Sequence, residues 1–330
     1  MKKKNIDIIT GASGMIGSTL VNKLINDDNL LILAFDNFHT SKNNYLKKYK
    51  KKNNFQFFNI DLSKEIKLKK KEINLLKNNK IRNIWLLAAN SDIKNGLKDF
   101  SIDYKNTYLT TINTINYLDK FINTGTKIIF TSSSAVYGEK KLLLKEYDNN
   151  LCPVSNYGVM KLYSEMFIKC FSEFKKIKSF VFRLPNVIGF NLTHGVIFDF
   201  YNKILKQKKI LKVLGNGNQK KPYALAEEVV NALVNIPLRN KNRFDIINLG
   251  VNDNGVKVKY IAEQFKKVFK VKKISYQKKR TGWVGDIPNY KLSFNKAKKF
   301  KFQFRLNSKE AVNKVINHIK NKPEFSGTNV

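Results

Sequence analysis

The sequence predicts an α/β fold, in which a doubly wound parallel sheet is followed by a smaller C-terminal α/β part. Short apolar runs alternate with longer amphipathic stretches through residues 1–182, the pattern of a parallel sheet covered by helices on both faces. A glycine-rich turn joins the first run to the first amphipathic stretch. The chain of 330 residues is long enough for one large domain, with or without a smaller partner, and for a sizeable core.

The first strand is predicted at Ile6–Ile9 and runs into the turn Thr10–Gly17, TGASGMIG. Gly11 permits a sharp turn, Gly14 has no side chain to keep a ligand from the backbone, and Gly17 lets the following helix pack closely. This strand–turn–helix order directs unpaired N–H groups and the positive end of the helix dipole at a bound phosphate. The spacing is one residue longer than the common dinucleotide fingerprint, and alone it also fits a structural turn.

The second apolar run, Leu30–Phe35, ends at Asp36, nineteen residues beyond Gly17. A carboxylate at the tip of the second strand can accept hydrogen bonds from both ribose hydroxyls of an adenosine. It would repel a 2′-phosphate, which favours NAD over NADP. An isolated aspartate fits an ordinary turn equally well, but in register with the glycine turn it predicts a Rossmann-type sheet that binds NAD.

Further strands are predicted at Phe55–Ile60, Asn83–Ala89 and Lys127–Phe130, with helices between them at Lys64–Asn78 and Ile102–Ile122. Small or polar residues follow these strands: Asp61 and Leu62, then Ala88 and Ala89, then the serine row Ser132–Ser134. Ligands of parallel sheets bind beyond the carboxyl ends of the strands. We therefore expect these residues to meet at one crevice.

Tyr157 and Lys161 are four residues apart on a predicted helix and therefore share a face. An ammonium beside a phenol stabilises the phenolate and lowers the tyrosine pKa, as would a cationic nicotinamide. The tyrosine can then act as a general acid or base, with a serine of the row Ser132–Ser134 orienting the reacting hydroxyl. The spacing alone also fits an amphipathic helix with a buried tyrosine and a solvated lysine. The serine row and the glycine turn favour catalysis.

The formal net charge is +37, with 62 Lys and Arg residues against 25 Asp and Glu. Such a balance is typical of proteins that bind nucleic acid or anionic membranes. The lysines are spread along the whole chain, whereas a dedicated nucleic-acid surface is clustered and arginine-rich. We interpret the charge as compositional, so neither nucleic acid nor a membrane is an expected partner.

Cysteine and histidine usage predicts a cytoplasmic protein without a metal site. Cys152 and Cys170 are too few for a disulfide framework, which fits a reducing compartment. His39, His194 and His318 are scattered, without the spacing of metal ligands. No run approaches the roughly 20 apolar residues of a membrane span.

These motifs together resemble those of the extended short-chain dehydrogenase/reductase family, specifically its nucleotide-sugar epimerases and dehydratases. The resemblance covers nearly the whole chain, through TGASGMIG, Asp36-Asn37, Asp61-Leu62, LLAAN, SSSAVYG, YGVMK, RLPNVIG, GNGNQKKPY and GWVGDIPNYKLSFNKAKKF. It implies an NAD-binding domain over residues 1–182 and a part that mainly binds a UDP-sugar or similar nucleotide sugar over 183–322, which can return a strand and a helix to the sheet. It also implies homodimers through the helices near 102–122 and 155–174. Residues 323–330 are expected to form a flexible tail.

The resemblance also assigns roles to residues of this chain. It makes Ser133 the catalytic serine, Tyr157 the base and Lys161 the residue that holds the nicotinamide ribose. Ser132 and Ser134 are close enough that the serine assignment could shift by one residue. The expected NAD contacts, besides Tyr157 and Lys161, are Gly11, Gly14, Met15, Ile16, Gly17, Asp36, Asn37, Asp61, Leu62, Ala88, Ala89, Asn106 and Pro185. The expected substrate contacts are Ser134, Asn186, Lys221 and Arg280. Lys221 replaces a family arginine and loses its bidentate fork.

The two residues after Ser133 discriminate between reactions. The family's 4,6-dehydratases place Asp-Glu there and its decarboxylating members keep a Glu, whereas this chain has Ser134 and Ala135. The sequence therefore predicts C4 epimerisation of a UDP-hexose by transient oxidation and hydride return. Dehydration, decarboxylation and reduction of a nucleotide sugar are the alternatives within the family. A basic NAD-binding scaffold that contacts RNA or anionic partners is the alternative from another class.

Overall fold

The computed structural model describes residues 4–41, 45–140, 143–207, 209–278 and 290–321. Arg280 and the predicted tail at 323–330 lie outside the described residues. The other predicted site residues lie within them.

The strands are short, and seven of them form one sheet. In chain order they are β1 (Asn5–Thr10), β2 (Leu30–Asp36), β3 (Phe55–Asn59), β4 (Lys80–Leu86), β5 (Lys127–Ser133), β6 (Leu143–Leu144), β7 (Lys178–Leu184), β8 (Asn186–Ile188), β9 (Ile210–Val213), β10 (Lys220–Lys221), β11 (Tyr223–Leu225), β12 (Phe244–Asn248), β13 (Val256–Lys257), β14 (Lys273–Tyr276) and β15 (Lys291–Leu292).

Helices connect these strands and cover the sheet. In chain order they are α1 (Met15–Leu24), α2 (Lys70–Asn78), α3 (Ile93–Lys98), α4 (Phe100–Asp103), α5 (Thr110–Leu118), α6 (Asn156–Lys175), α7 (Val196–Lys206), α8 (Ala226–Arg239), α9 (Val258–Phe269), α10 (Asn295–Lys299) and α11 (Ser308–Asn321). Short 3-10 turns lie at Lys47–Tyr49, Asp119–Phe121 and Ser134–Tyr137.

The main sheet is parallel throughout and has the strand order β12-β7-β5-β4-β1-β2-β3. The order reverses between β1 and β4, so a crevice opens beyond the carboxyl ends of these two strands. This arrangement confirms the predicted doubly wound sheet. Among the helices that the structure describes, none has the length and apolar character needed to cross a membrane.

Both faces of the main sheet are covered, which explains why its strands read as continuous apolar runs. Strand β2 is buried over its first six residues, LLILAF. One face of the sheet packs against α1 and α8, and the other packs against α2, α5 and α6. The strands are therefore held on both sides, and their carboxyl ends are fixed relative to one another.

The helix predicted at Lys64–Asn78 is shorter in the structure and begins at Lys70. The carboxylate of Glu72 accepts the backbone N–H of Lys69 at 2.6 Å and so caps the helix at that point. The basic residues before this cap remain outside the helix.

The helix predicted at Ile102–Ile122 is interrupted. A π-helical stretch, Tyr104–Leu109, separates α4 from α5. Such stretches are rare and often occur at functional sites, and this one carries Asn106, a predicted NAD contact.

The C-terminal half has a core of its own, in which α7, α9 and α11 pack around apolar side chains such as Phe200, Phe265 and Val315. Strand β11 pairs in parallel with β8, which places Tyr223 opposite Asn186. Strand β12 instead joins the main sheet beside β7. The residues after 183 therefore contribute to both parts of the molecule.

Candidate active site

A cavity of about 810 Å³ opens beyond the carboxyl ends of the main-sheet strands and is lined by residues of both halves. It brings together most of the predicted site residues: Gly11, Gly14, Met15, Ile16, Gly17, Asp36, Asn37, Leu62, Ala88, Ala89, Asn106, Ser133, Ser134, Tyr157, Lys161, Pro185, Asn186 and Lys221. Residues far apart in the sequence thus share one crevice, at the place where the strand order reverses.

The glycine turn packs so tightly that it excludes side chains at two positions. Gly11 has a φ of +63°, and a Cβ there would lie 2.8 Å from the backbone nitrogen of Ala88. A Cβ on Gly17 would lie 2.2 Å from the carbonyl oxygen of Gly11. Helix α1 begins at Met15 and none of the described side chains caps it, which leaves its first N–H groups available to an anion.

Asp36 is tied to this turn by its carboxylate. One oxygen accepts the backbone N–H of Ser13 and the other accepts that of Phe38, each at 2.8 Å. Burial raises the pKa of Asp36, and the backbone N–H groups of Phe38, Ser13 and Asn37 oppose that rise. Each carboxylate oxygen has a second lone pair, so Asp36 can also accept hydrogen bonds from ligand hydroxyls.

Asp61 is a predicted site residue that the structure does not bring to the cavity. Its carboxylate accepts hydrogen bonds from the backbone N–H and the hydroxyl of Ser63, at 3.0 and 2.7 Å. The next residue, Leu62, does line the cavity. The end of β3 therefore contributes an apolar wall rather than a carboxylate.

The structure distinguishes the three serines of the row by their hydrogen-bond partners. The pairs are Ser132 with Glu165, Ser133 with Tyr157, and Ser134 with Tyr290. The Ser133 hydroxyl also accepts the backbone N–H of Ala135 at 3.2 Å, which orients it. Ser133 is therefore the member of the row that contacts Tyr157.

Lys161 lies one turn beyond Tyr157 on α6 and is almost completely buried. Its ammonium donates to the carbonyl oxygen of Thr131 at 2.6 Å and lies 5.7 Å from the centre of the Tyr157 ring. Burial lowers the pKa of Lys161 to about 7, although the Glu165 carboxylate opposes the shift. A lysine in this environment can change its charge near neutral pH.

The pKa of Tyr157 moves in the direction opposite to the sequence-based expectation. Burial raises this pKa, the carboxylate of Asp103 raises it further, and the hydrogen bond with Ser133 lowers it. Burial is thus the largest influence on the pKa of Tyr157 within the protein. Tyr157 therefore needs a further positive charge beside it to act as a base near neutral pH.

Residues 8–250 match the model of the NAD dependent epimerase/dehydratase family. The chain belongs to this family. It is therefore an enzyme of the epimerase/dehydratase type, with NAD as its cofactor.

Relatives of this chain include epimerases of two sugar nucleotides. It is 28% identical over 320 residues to a putative UDP-glucose 4-epimerase of Methanocaldococcus jannaschii, covering 95% of this chain and 98% of the relative. It is 28% identical over 280 residues to an ADP-L-glycero-D-manno-heptose-6-epimerase of Brachyspira hyodysenteriae, covering 82% and 83%. A structure of UDP-glucose 4-epimerase from Thermotoga maritima with UDP-glucose has a TM-score of 0.80 at 22% identity, covering 97% and 99% of the two chains. That likeness shows the fold.

The cavity residues fit NAD. Gly14, which has no side chain and lines the cavity, and the N–H groups of the first turn of α1 suit a pyrophosphate. Asp36, at the tip of β2, suits the hydroxyls of the adenosine ribose. Ala88 and Ala89 leave room for a flat ring, and Lys161 lines the same cavity.

Tyr290 lines the cavity and was not singled out from the sequence. Its hydroxyl is hydrogen-bonded to the side chain of Ser134 and accepts a hydrogen bond from the side-chain amide of Asn186 at 3.3 Å. Burial raises the pKa of Tyr290 to about 12, so the hydroxyl remains protonated at neutral pH. The motif GWVGDIP pointed to this segment, but a tyrosine outside helices and strands has no periodicity that predicts its direction.

Other residues that line the cavity were given no binding role from the sequence: His39, Thr40, Asn90, Asp92, Lys94, His194, Gln219 and Tyr223. Most follow strands or precede helices, where side-chain direction depends on the loop rather than on a repeating pattern. Within the described residues, His, Cys, Asp and Glu form no cluster of three or more that could hold a metal ion.

Proposed function

We propose that the enzyme epimerises a nucleotide sugar, acting at C4 of a UDP-hexose. The observation that carries this proposal is the grouping of Ser133, Tyr157 and Lys161 at one cavity. Ser133 and Tyr157 share a hydrogen bond, and Thr131 fixes the Lys161 ammonium 5.7 Å from the tyrosine ring. This grouping can move a proton at a sugar hydroxyl while the attached carbon exchanges a hydride.

The chemistry of the chain's own residues follows from this arrangement. Tyr157 takes the proton of the C4 hydroxyl as the hydride leaves C4, and Ser133 orients that hydroxyl. NAD, when bound, supplies the reversible hydride acceptor and a positive ring that favours the phenolate. After the 4-keto sugar rotates within the site, the hydride returns to the opposite face of C4. Tyr157 then returns the proton to the C4 oxygen. The product therefore has the mass of the substrate.

The wall around Ser134 argues against elimination. The family's dehydratases and decarboxylating members have carboxylates after the catalytic serine, and this chain has Ser134 and Ala135 there. Ser134 is hydrogen-bonded to Tyr290, whose hydroxyl is a hydrogen-bond donor rather than a base at neutral pH. This wall therefore offers hydroxyl groups, which suit sugar binding. Asn186 and Lys221 suit the substrate diphosphate.

The test is incubation of the NAD-loaded protein with UDP-glucose, UDP-galactose, their N-acetylated forms and UDP-glucuronic acid. Chromatography separates the products and mass spectrometry weighs them. Interconversion at constant mass is the expected result. Loss of water would indicate a dehydratase, loss of carbon dioxide a decarboxylase, and gain of hydrogen a reductase. Absence of any interconversion contradicts the proposal.

We further propose a homodimer that forms through the face of α5, α6 and the residues before α5. Large apolar side chains are exposed there: Phe100, Tyr104, Tyr163, Met166 and Phe174. Phe174 is 80% exposed, and the rings of Phe100 and Tyr104 stack 5.9 Å apart. A second copy is the occupant that fits, because a two-fold axis pairs one such patch with itself. Light scattering should give a dimer for the wild type and a monomer for Met166→Arg. A monomeric wild type contradicts the proposal.

A further inference from the structure

A buried carboxylate lies next to the candidate catalytic tyrosine and has no part in the chemistry described above. Asp103 is the last residue of α4 and is fully buried. One of its oxygens accepts the side-chain amide of Asn90 at 2.7 Å, and the carboxylate also interacts with the backbone N–H of Tyr157. Burying a carboxylate is costly unless its partners compensate. The position of this carboxylate beside Tyr157 therefore points to a role there.

The surrounding packing leaves room for this carboxylate in particular. A Cβ on Gly96 would lie 1.9 Å from Oδ2 of Asp103. The carbonyl oxygen of Gly96 accepts the side-chain amide of Asn156, the residue before Tyr157, at 2.8 Å. Asn90 lies directly after the small residues that follow β4. Asp103 thus joins the loop after β4, helix α3 and the first turn of α6.

Asp103 also lies at the positive end of a long helix. Helix α6 has 20 residues, and the hydroxyl of Ser155 caps it by accepting the backbone N–H of Gly158 at 3.2 Å. A carboxylate near the first-turn N–H groups is stabilised by the helix dipole. Burial raises the pKa of Asp103 and the charge of Asp92 adds to the rise, while the amide of Asn90 opposes it.

Three groups from different directions act on the phenol of Tyr157. Ser133 from β5 shares a hydrogen bond with it, Lys161 from α6 holds an ammonium 5.7 Å from the ring, and Asp103 from α4 contributes a negative charge. The ammonium favours the phenolate, whereas the carboxylate favours the phenol. A residue that takes a proton and then returns it needs both forms within reach at the working pH.

We propose that Asp103 is a positioning residue that fixes the first turn of α6 and, when NAD is bound, opposes the positive charges beside Tyr157, so that this tyrosine can return a proton as well as accept one. The proton return rests on the proposed epimerase chemistry. The effect of Asp103 on the ionisation of Tyr157 is independent of that chemistry, because it arises from the position of the carboxylate alone.

The test is Asp103→Asn, which keeps the shape and one acceptor oxygen but removes the charge. The ionisation of Tyr157 is measured in NAD-loaded protein as the tyrosinate absorbance of each protein minus that of its Tyr157→Phe counterpart. Loss of a nearby negative charge makes the phenol a stronger acid, so we expect a midpoint about one pH unit below that of the wild type. The acidic limb of kcat/KM for the sugar should move to lower pH by a similar amount.

Asp245→Asn is the matched control. Asp245 is also a buried carboxylate and also accepts an asparagine amide, that of Asn240, at 2.7 Å, but it lies on the edge strand β12. This variant should leave the midpoint and the acidic limb unchanged.

Thermal melting shows whether each variant is folded. If Asp103→Asn does not fold, Asp103→Ser removes the same charge with a smaller side chain and is judged by the same criterion. A folded charge-removing variant that keeps the wild-type midpoint overturns the proposal, since a purely structural role would lower kcat without moving it. If no nucleotide sugar is converted, the proposed function fails, and the titration still decides the effect of Asp103.

Discussion

The two ends of the main sheet use buried polar side chains in opposite ways. At the amino end, the fully buried carboxylate of Asp7 accepts hydrogen bonds from Arg82, Asn83 and Trp85 at 2.8 to 3.1 Å. At the carboxyl end, the described residues give the buried ammonium of Lys161 a single hydrogen bond, to a backbone carbonyl. An ammonium has three donors. A buried group whose hydrogen bonds are all made within the protein stabilises the fold. A buried group with unused hydrogen-bonding capacity is available to a ligand.

The largest effect is expected when the carboxyl end loses its proton-transfer group. Tyr157→Phe removes one hydroxyl and should lower kcat/KM about 10³-fold, the typical scale for a general acid or base. NAD binding should remain nearly intact, because the ring stays in place. Steady-state kinetics and NAD titration separate the two effects.

Tyr137→Phe is the matched control for that variant. Its hydroxyl is also buried and donates to the side-chain oxygen of Asn248 at 2.8 Å, but Tyr137 does not line the cavity. We expect its loss to lower the free energy of unfolding by about 1 kcal/mol and to leave kcat/KM within a few-fold. Equal activity in the Tyr157 and Tyr137 variants would remove Tyr157 from the mechanism.

The second effect concerns the amino end. Asp7→Ala leaves Arg82, Asn83 and Trp85 without their shared acceptor, and should lower the free energy of unfolding by about 3 kcal/mol. Activity per folded molecule should not change. Urea unfolding measures the loss. Asp27→Ala is the control, because Asp27 is 47% exposed and lies 3.9 Å from Arg82, and such a surface pair contributes less than about 1 kcal/mol. If both variants lose a similar free energy of unfolding, Asp7 contributes no more to stability than a surface ion pair, which contradicts the prediction.

Much of the carboxyl end could be predicted because its residues occupy regular positions. The glycine turn between β1 and α1 has a fixed spacing, and the buried run Leu30–Phe35 places Asp36 at a strand end. Tyr157 and Lys161 share a helix face for the same geometric reason. The resemblance assigned Ser133 with a possible shift by one, and the structure separates the three serines by the partner that each contacts.

Other parts of the site could not be predicted from the sequence. Asp103 reaches Tyr157 because α4 and a π-helical stretch replace the first turns of the predicted helix, and periodicity does not reveal such an insertion. Tyr290 directly precedes the two-residue strand β15 and takes part in no repeating pattern. Asp61 has the correct place in the chain, but Ser63, two residues away, binds its carboxylate. A local hydrogen bond of this kind competes with any ligand.

Asp36 lies between the two extremes and is expected to give a smaller effect. Its carboxylate accepts hydrogen bonds from two backbone N–H groups of the protein, and Asp36 also lines the cavity. Asp36→Asn should weaken NAD binding about tenfold, the cost of one lost charge-assisted bond, and should narrow the preference for NAD over NADP because the repulsion of a 2′-phosphate is removed. Fluorescence titration with both dinucleotides measures this. An unchanged preference would show that Asp36 does not face the adenosine ribose.

The last comparison tests the incomplete pairing of Lys161 through the pH dependence of stability. Burial lowers its pKa from 10.5 to about 7, so between these values the folded protein binds fewer protons than the unfolded chain. The free energy of unfolding should therefore rise with pH across this window in the wild type and rise less in Lys161→Met. Urea unfolding at several pH values measures the slope.

Lys169→Met, on the exposed side of the same helix, should keep the wild-type slope. The slopes of unfolding free energy against pH are compared, rather than its values. Loss of the hydrogen bond to Thr131 lowers the free energy of unfolding by a similar amount at every pH and leaves the slope unaffected. If Lys161→Met also keeps the wild-type slope, Lys161 is as fully compensated in the folded protein as Asp7. The distinction between a stabilising amino end and an available carboxyl end would then not hold for this residue.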